Sequence, residues 1–240
     1  MSKKSSSKTN FLAQGTILVI ASFVAKAIGM IYRIPLTHIL GDDGNGYYST
    51  ANEIYTIILM ISSFSLPLAV SRLVAEREYA GEVKNSYKVL ICSLRFAAVT
   101  GGILSILTFL LGGVITKYVM GVELASYALR VLAPAIFLFA LTGVLRGFFQ
   151  GHGTMVPTAV SQIIEQIINA IVSVAGAYVM LQYGLKLGEK KGDAELGTAL
   201  AAAGGTFGTV ASVGVALLFM IVIYLGYRNG FKRRMKKDKT

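Results

Sequence analysis

Reactive and metal-binding residues are scarce: the 240 residues include one cysteine and two histidines, and charged residues make up only 15%. With Cys92 alone no intrachain disulfide can form, and cysteine usage does not report a redox compartment. His38 and His152 stand far apart with no second cysteine to join them, which argues against a structural zinc site. No acid–base pair with a helper, nucleophile elbow, phosphate-binding loop or metal spacing is visible, so no catalytic residues and no cofactor are assigned and the chain is not read as an enzyme. The run GDDGNG at 41–46 lacks the EF-hand spacing and its closing glutamate, and reads as a tight turn between helices. The first apolar run is much longer than a signal-peptide core and no small-residue cleavage site ends it, so no cleavable signal is expected.

Apolar residues are what the chain has in excess, at 54%. A soluble domain of this size could not hide that much apolar surface. A membrane-spanning helix needs about 20 mostly apolar residues, and six segments qualify: Phe11–Leu40, Tyr47–Val74, Val89–Val114, Ala125–Leu145, Val156–Leu181 and Leu196–Tyr224. The first is too long for one simple span, so its end near Pro35 and Gly41 is expected to be interfacial or kinked. The fold class is all-α, a polytopic membrane protein. Residues 1–10 form a polar, basic tail with the composition of a disordered segment, residues 11–226 the helical lobe, and residues 227–240 a second basic tail. The loops are short except at Glu76–Lys88 and Tyr183–Glu195. The 26 glycines suit close helix packing in lipid, and Gly197, Ala201, Gly204, Gly205 and Gly208 make the sixth segment small-faced for that purpose.

A net charge of +11 would suggest nucleic acid for a soluble protein. In a membrane protein it reflects the concentration of Lys and Arg in cytoplasmic loops, so no nucleic-acid partner is expected. With the N-terminus inside, fifteen cations fall on the cytoplasmic side and four (Lys117, Lys186, Lys190 and Lys191) outside. Arg146 counts among the fifteen as a loop residue. Both termini are therefore expected in the cytoplasm. Contact with anionic membrane lipids is a secondary use of the basic tail.

Charge retained at membrane depth marks cavities and substrate paths. Ser22, Lys26, Gly29 and Arg33 share one helical face. Lys26 is the deeper cation and is read as facing a cavity, while Arg33 either does the same or snorkels to the outer interface. On the second segment Glu53 is either a partner for Lys26 or Arg33 or a proton site, and Pro67 permits a bend. Arg95 and Arg130 lie a turn or two inside the third and fourth segments, where snorkelling and cavity lining both fit, and Pro134 follows Arg130 by a turn. The fifth segment carries a polar stripe from Thr158 to Ser173. Glu165 at its middle is either functional or structurally paired. Lys26, Arg33, Glu53, Arg130 and Glu165 are thus the candidate substrate-binding residues. Cations facing sparse carboxylates suit an anionic cargo such as a pyrophosphate.

Two stretches carry a family resemblance. RIPLTHILGDDGNGYYSTANEIYTIILMISSFSLPLAVSRLVAE, from Arg33 to Glu76, resembles the first hairpin of bacterial polysaccharide-biosynthesis membrane proteins, and RGFFQGHGTMVPTAVSQIIEQIIN, Arg146 to Asn169, resembles the turn into their fifth helix. Together they resemble the branch of stage V sporulation protein B and the lipid II flippases, within the multidrug, oligosaccharidyl-lipid and polysaccharide exporter superfamily. The resemblance implies one lobe of a two-lobed exporter that flips undecaprenyl-pyrophosphate-linked saccharide by alternating access, in the bacterial cytoplasmic membrane. Cationic residues of the first helices would recognise the cargo. Lys26 stands where many relatives have Arg, and Asn169 where many have a basic residue. Relatives have twelve to fourteen helices, so a missing C-terminal lobe or a second copy is an expected partner. Two other readings stay open: a cation-coupled exporter using Glu53 and Glu165, and a non-transporting scaffold for cell-wall or sporulation enzymes.

Overall fold

Backbone polar groups facing hydrocarbon must be satisfied within their own segment, and long apolar runs therefore become helices. The computed structural model describes residues 2–192 and 195–238, without the side chains of residues 2–13 and Lys237. Lys3, Lys4, Lys8, Lys237 and Lys239 of the charge tally lie outside those described side chains. Six α-helices follow in order: α1 (Ser2–Ser62), α2 (Leu66–Tyr79), α3 (Val83–Val114), α4 (Ala125–Gly151), α5 (Val156–Lys191) and α6 (Leu196–Lys237), with a π-helical turn at Ile115–Val119 closing α3. No strand occurs among the described residues. Helix α1 takes in residues 2–10, which corrects the expectation of a disordered tail.

Five continuous stretches are long and apolar enough to cross a membrane, and the first, Gln14–Tyr79, runs 66 residues, several times the ~20 needed. Gly41 divides it, with φ 65° and ψ −172°, a backbone state open to glycine because it lacks a Cβ. The chain reverses there. Tyr32 and Tyr48 line one cavity across the reversal, although a straight helix would hold them about 24 Å apart at 1.5 Å per residue. One crossing therefore ends near Leu40 and a second runs from Asp42 through α2, giving six in all. The protein is a multi-pass membrane protein of all-α class.

The second crossing breaks at residues 63–65, just ahead of Pro67. Proline offers no N–H to the Ser63 carbonyl, which instead accepts the Leu66 N–H at 3.2 Å. Pro134 leaves α4 as one continuous helix. Most of the two long loops of the sequence reading is helical. Helix α2 runs to Tyr79 and α3 starts at Val83, while α5 runs to Lys191 and stops at Gly192, φ 68°. Helices continue past the lipid boundary because polar turns still gain their i→i−4 bonds in water.

Helices α5 and α6 pair antiparallel through their small faces. Gly184 meets Gly197, Gly176 meets Gly204 and Ser173 meets Gly208, so the α6 stripe is a packing surface, as its composition suggested. One buried cluster gathers Leu36, Tyr48, Tyr55, Leu132 and Ile136 beneath the Gly41 turn. A second gathers Val70, Val74, Leu90, Phe148, Phe149 and Met220 toward the termini. That end is closed by Glu78 of α2, which bonds Arg234 of α6 and lies 3.2 Å from Nε2 of His152 at the end of α4.

Candidate functional site

The polar stripe of α5 is the frame of the site, and most of it is bonded. Ser22 of α1 donates to Gln162 at 3.2 Å, and Gly29 faces Gln166. Asn169 donates to the Tyr32 hydroxyl at 3.0 Å and accepts from Ser173 at 2.9 Å. Toward the termini, Arg146 donates to Ser161 at 2.9 Å and to Glu165 at 2.7 Å. Gln150 and Thr158 lie close beside them. One face of α5 thus binds α1 along the first hairpin and α4 near the base. The arrangement spares each group the cost of an unmade bond in hydrocarbon.

Arg146 is the residue the sequence reading missed. It is not in a loop: α4 carries it, with only 7% of its surface exposed. Helix α4 continues five residues beyond it, which draws the guanidinium inside the bundle at the depth of Glu165. The signal was available, because Ser161 and Glu165 stand four apart on α5, and one face therefore presents both acceptors to a neighbouring donor. Tyr55 of the second crossing also lies within electrostatic reach of Glu165.

Around this frame the candidate residues separate. Arg33 and Glu53 line one cavity of about 640 Å³, between the two limbs of the Gly41 hairpin, with Tyr32, Tyr48, Asn52 and Thr56. Both are exposed into it, and neither has an ion-pair partner within 4.0 Å among the described residues. Glu53 therefore does not answer Lys26 or Arg33 as a contact pair. Lys26 is exposed on the first limb, outside this cavity, with no bonded partner among the described residues. The face it shares with Ser22 and Gly29 is split, since those two enter the α5 contact. Arg130 sits elsewhere, in a separate hollow of about 460 Å³ lined by Lys117, Tyr118 and Glu123. Its side chain crosses Gly112 and Gly113 of α3. Glu165 belongs to the Arg146 pair. Two of the five candidates are thus brought together, and three occupy separate settings.

In chemical character the hairpin cavity offers one guanidinium, one carboxylate, two phenols, an amide and the hydroxyls of Ser49 and Thr56. That set can bind phosphate oxygens by charge-assisted bonds and sugar hydroxyls by neutral ones. It contains no group of His or Cys type, and no cluster of three metal-ligating residues occurs among the described residues.

Known proteins share this architecture. The chain is 28% identical to stage V sporulation protein B of Bacillus subtilis (strain 168) over 237 residues, which is 97% of this chain and 43% of that protein. It is 29% identical to lipid II flippase MurJ of the same organism over 180 residues, 71% of this chain and 33% of the relative. A solved outward-facing multidrug resistance transporter of the MATE family and MOP superfamily superposes with a TM-score of 0.74 at 18% identity, covering 92% of this chain and 46% of that one. This last likeness is one of fold. The chain spans less than half the length of each of these relatives. With the family pattern of polysaccharide biosynthesis proteins matched across residues 11–239, six crossings and all, the chain belongs to that family.

Proposed function

We propose that the chain forms one lobe of a flippase for undecaprenyl-pyrophosphate-linked saccharide, working by alternating access in the bacterial cytoplasmic membrane with both termini in the cytoplasm. The carrying observation is the hairpin cavity, where Arg33 stands without an ion-pair partner among hydroxyl, amide and carboxylate groups. A pyrophosphate would take the guanidinium in a bidentate, charge-assisted bond. Tyr48, Asn52 and Glu53 would take carrier or sugar hydroxyls. Lys26, two turns from Arg33 on the same limb, would extend the cationic track toward the termini. Arg130 would act at the outer mouth, and Glu165 as a positioning residue through Arg146. The lipid II flippase relative supports the cargo class.

One lobe supplies one wall of such a cavity, and rocking needs a second rigid body. A C-terminal lobe or a second copy is therefore the proposed partner, beside the cargo and membrane lipids. The cation-coupled exporter reading is weaker, because Arg146 already engages one of its two carboxylates.

The whole transporter containing this lobe, reconstituted in liposomes with a fluorescent undecaprenyl-pyrophosphate saccharide, tests the reading. Arg33→Gln is expected to slow flipping about tenfold, the equivalent of about 1.4 kcal/mol, with unchanged incorporation into the membrane. An undiminished rate would remove Arg33 from cargo recognition. Flipping slowed equally for a carrier lacking pyrophosphate would place its role in the fold instead.

A further inference from the structure

We infer that a groove between α3, α4 and α6, at the end of the bundle that bears the termini, binds an anionic phospholipid, with one acyl chain along its floor and the phosphate at Arg228. The groove holds about 360 Å³, and its walls come from Ile91 and Leu94 of α3, Leu141 and Leu145 of α4, and Leu217 and Ile221 of α6. Leu145 and Leu217 are buried and make the floor, while Ile221 and Leu225 stand exposed at the rim. An aliphatic channel open along its length to the bilayer fills with hydrocarbon.

Polarity is gathered at one end. Tyr87, Tyr224 and Arg228 line the groove there. No carboxylate lines the groove. Arg228 is exposed and makes no ion pair within 4.0 Å among the described residues. Along α6, Leu217 and Arg228 stand eleven positions apart, a rise of about 16 Å. Half of a hydrocarbon core of about 30 Å is the same length. A chain anchored at Arg228 therefore reaches the bilayer midplane where the aliphatic floor ends. The two phenols stand at the level that Tyr favours at membrane interfaces. A guanidinium with no neighbouring carboxylate distinguishes an anionic headgroup from a zwitterionic one. In the orientation proposed above, the leaflet concerned is the cytoplasmic one. The groove is separate from the hairpin cavity, and this inference does not depend on the cargo.

The test is native mass spectrometry of the full chain in mild detergent, titrated with phosphatidylglycerol or phosphatidylcholine, with helicity checked by circular dichroism. One phosphatidylglycerol retained per chain is expected, at about fivefold higher occupancy than phosphatidylcholine. Arg228→Gln should bring the two lipids level. Ile221→Trp, which fills the groove at its rim, should lower occupancy of both with helicity unchanged. Lys232→Gln, outside the groove, should leave both as they are. Full phosphatidylglycerol preference in Arg228→Gln, or full occupancy in Ile221→Trp, would overturn the site. Equal competition by glycerol phosphate without acyl chains would overturn the acyl-chain assignment.

Discussion

Arg146 on α4 and Glu165 on α5 form an ion pair at 2.7 Å, with side chains only 9% and 14% exposed. The same guanidinium donates through Nε to Ser161, so two of its faces are occupied by one turn of α5. Helices α4 and α5 approach each other closely at few other places. The pair therefore joins α4 directly to the polar frame that carries the hairpin cavity.

Breaking one side of this pair leaves an uncompensated charge in a dry setting. Arg146→Met is expected to cost about 3–5 kcal/mol, and the double change Arg146→Met with Glu165→Leu much less than the sum of the two single changes. Thermal or denaturant unfolding of the four proteins in one detergent would measure the coupling. Additive effects would mean the contact carries no stability.

The α5–α6 pairing depends on the absence of side chains. A Cβ on Gly176 would stand 2.5 Å from the Gly204 carbonyl oxygen, so Gly176→Ala should destabilise by about 1–3 kcal/mol through overpacking. At Gly226 nothing lies within 4 Å of the added carbon. Gly226→Ala should there show only the helix preference for alanine, a gain of up to about 1 kcal/mol. Unfolding midpoints of the two variants should move in opposite directions.

In the turn between α2 and α3, the Glu82 carboxyl is held below the usual carboxylate range, first by the Asn85 amide and next by Arg77, whose Nη1 lies 3.0 Å away. A carboxyl depressed on folding adds stability that is present above its unfolded pKa and lost as pH falls through the folded one. Acidification below about pH 4.3, the ordinary glutamate value, should therefore loosen this turn. Glu82→Gln should flatten the acid limb of the unfolding midpoint against pH by lowering the midpoint slightly at neutral pH and leaving it unchanged at the acid end. An unaltered acid limb would show that other carboxylates set it.

Much of the scaffold was legible from residues alone. The six apolar segments are the six crossings, Pro67 marks the break at residues 63–65, and the α6 glycines are the packing face. Those features depend on one segment at a time. The site was legible only in part. Arg33 and Glu53 share a cavity, yet Lys26, on the same helical stripe as Arg33, lies outside it. Helical spacing places residues on a stripe, but long cationic side chains leave a contact that Ser22 and Gly29 enter. Arg146 looked like an ordinary loop cation because α4 was expected to end at Leu145.

The sequence by itself determined that this protein is a bundle of membrane-crossing helices, since hydrocarbon forces every backbone group to find its partner within its own segment. It also determined where small residues would let helices close together. Only the tertiary structure decided which charges are paired and which stand free. Pairing depends on the depth and rotation of one helix against another, and no periodicity within a single helix encodes either. Hence Glu165 is taken by Arg146, and Arg33 is left facing an open cavity.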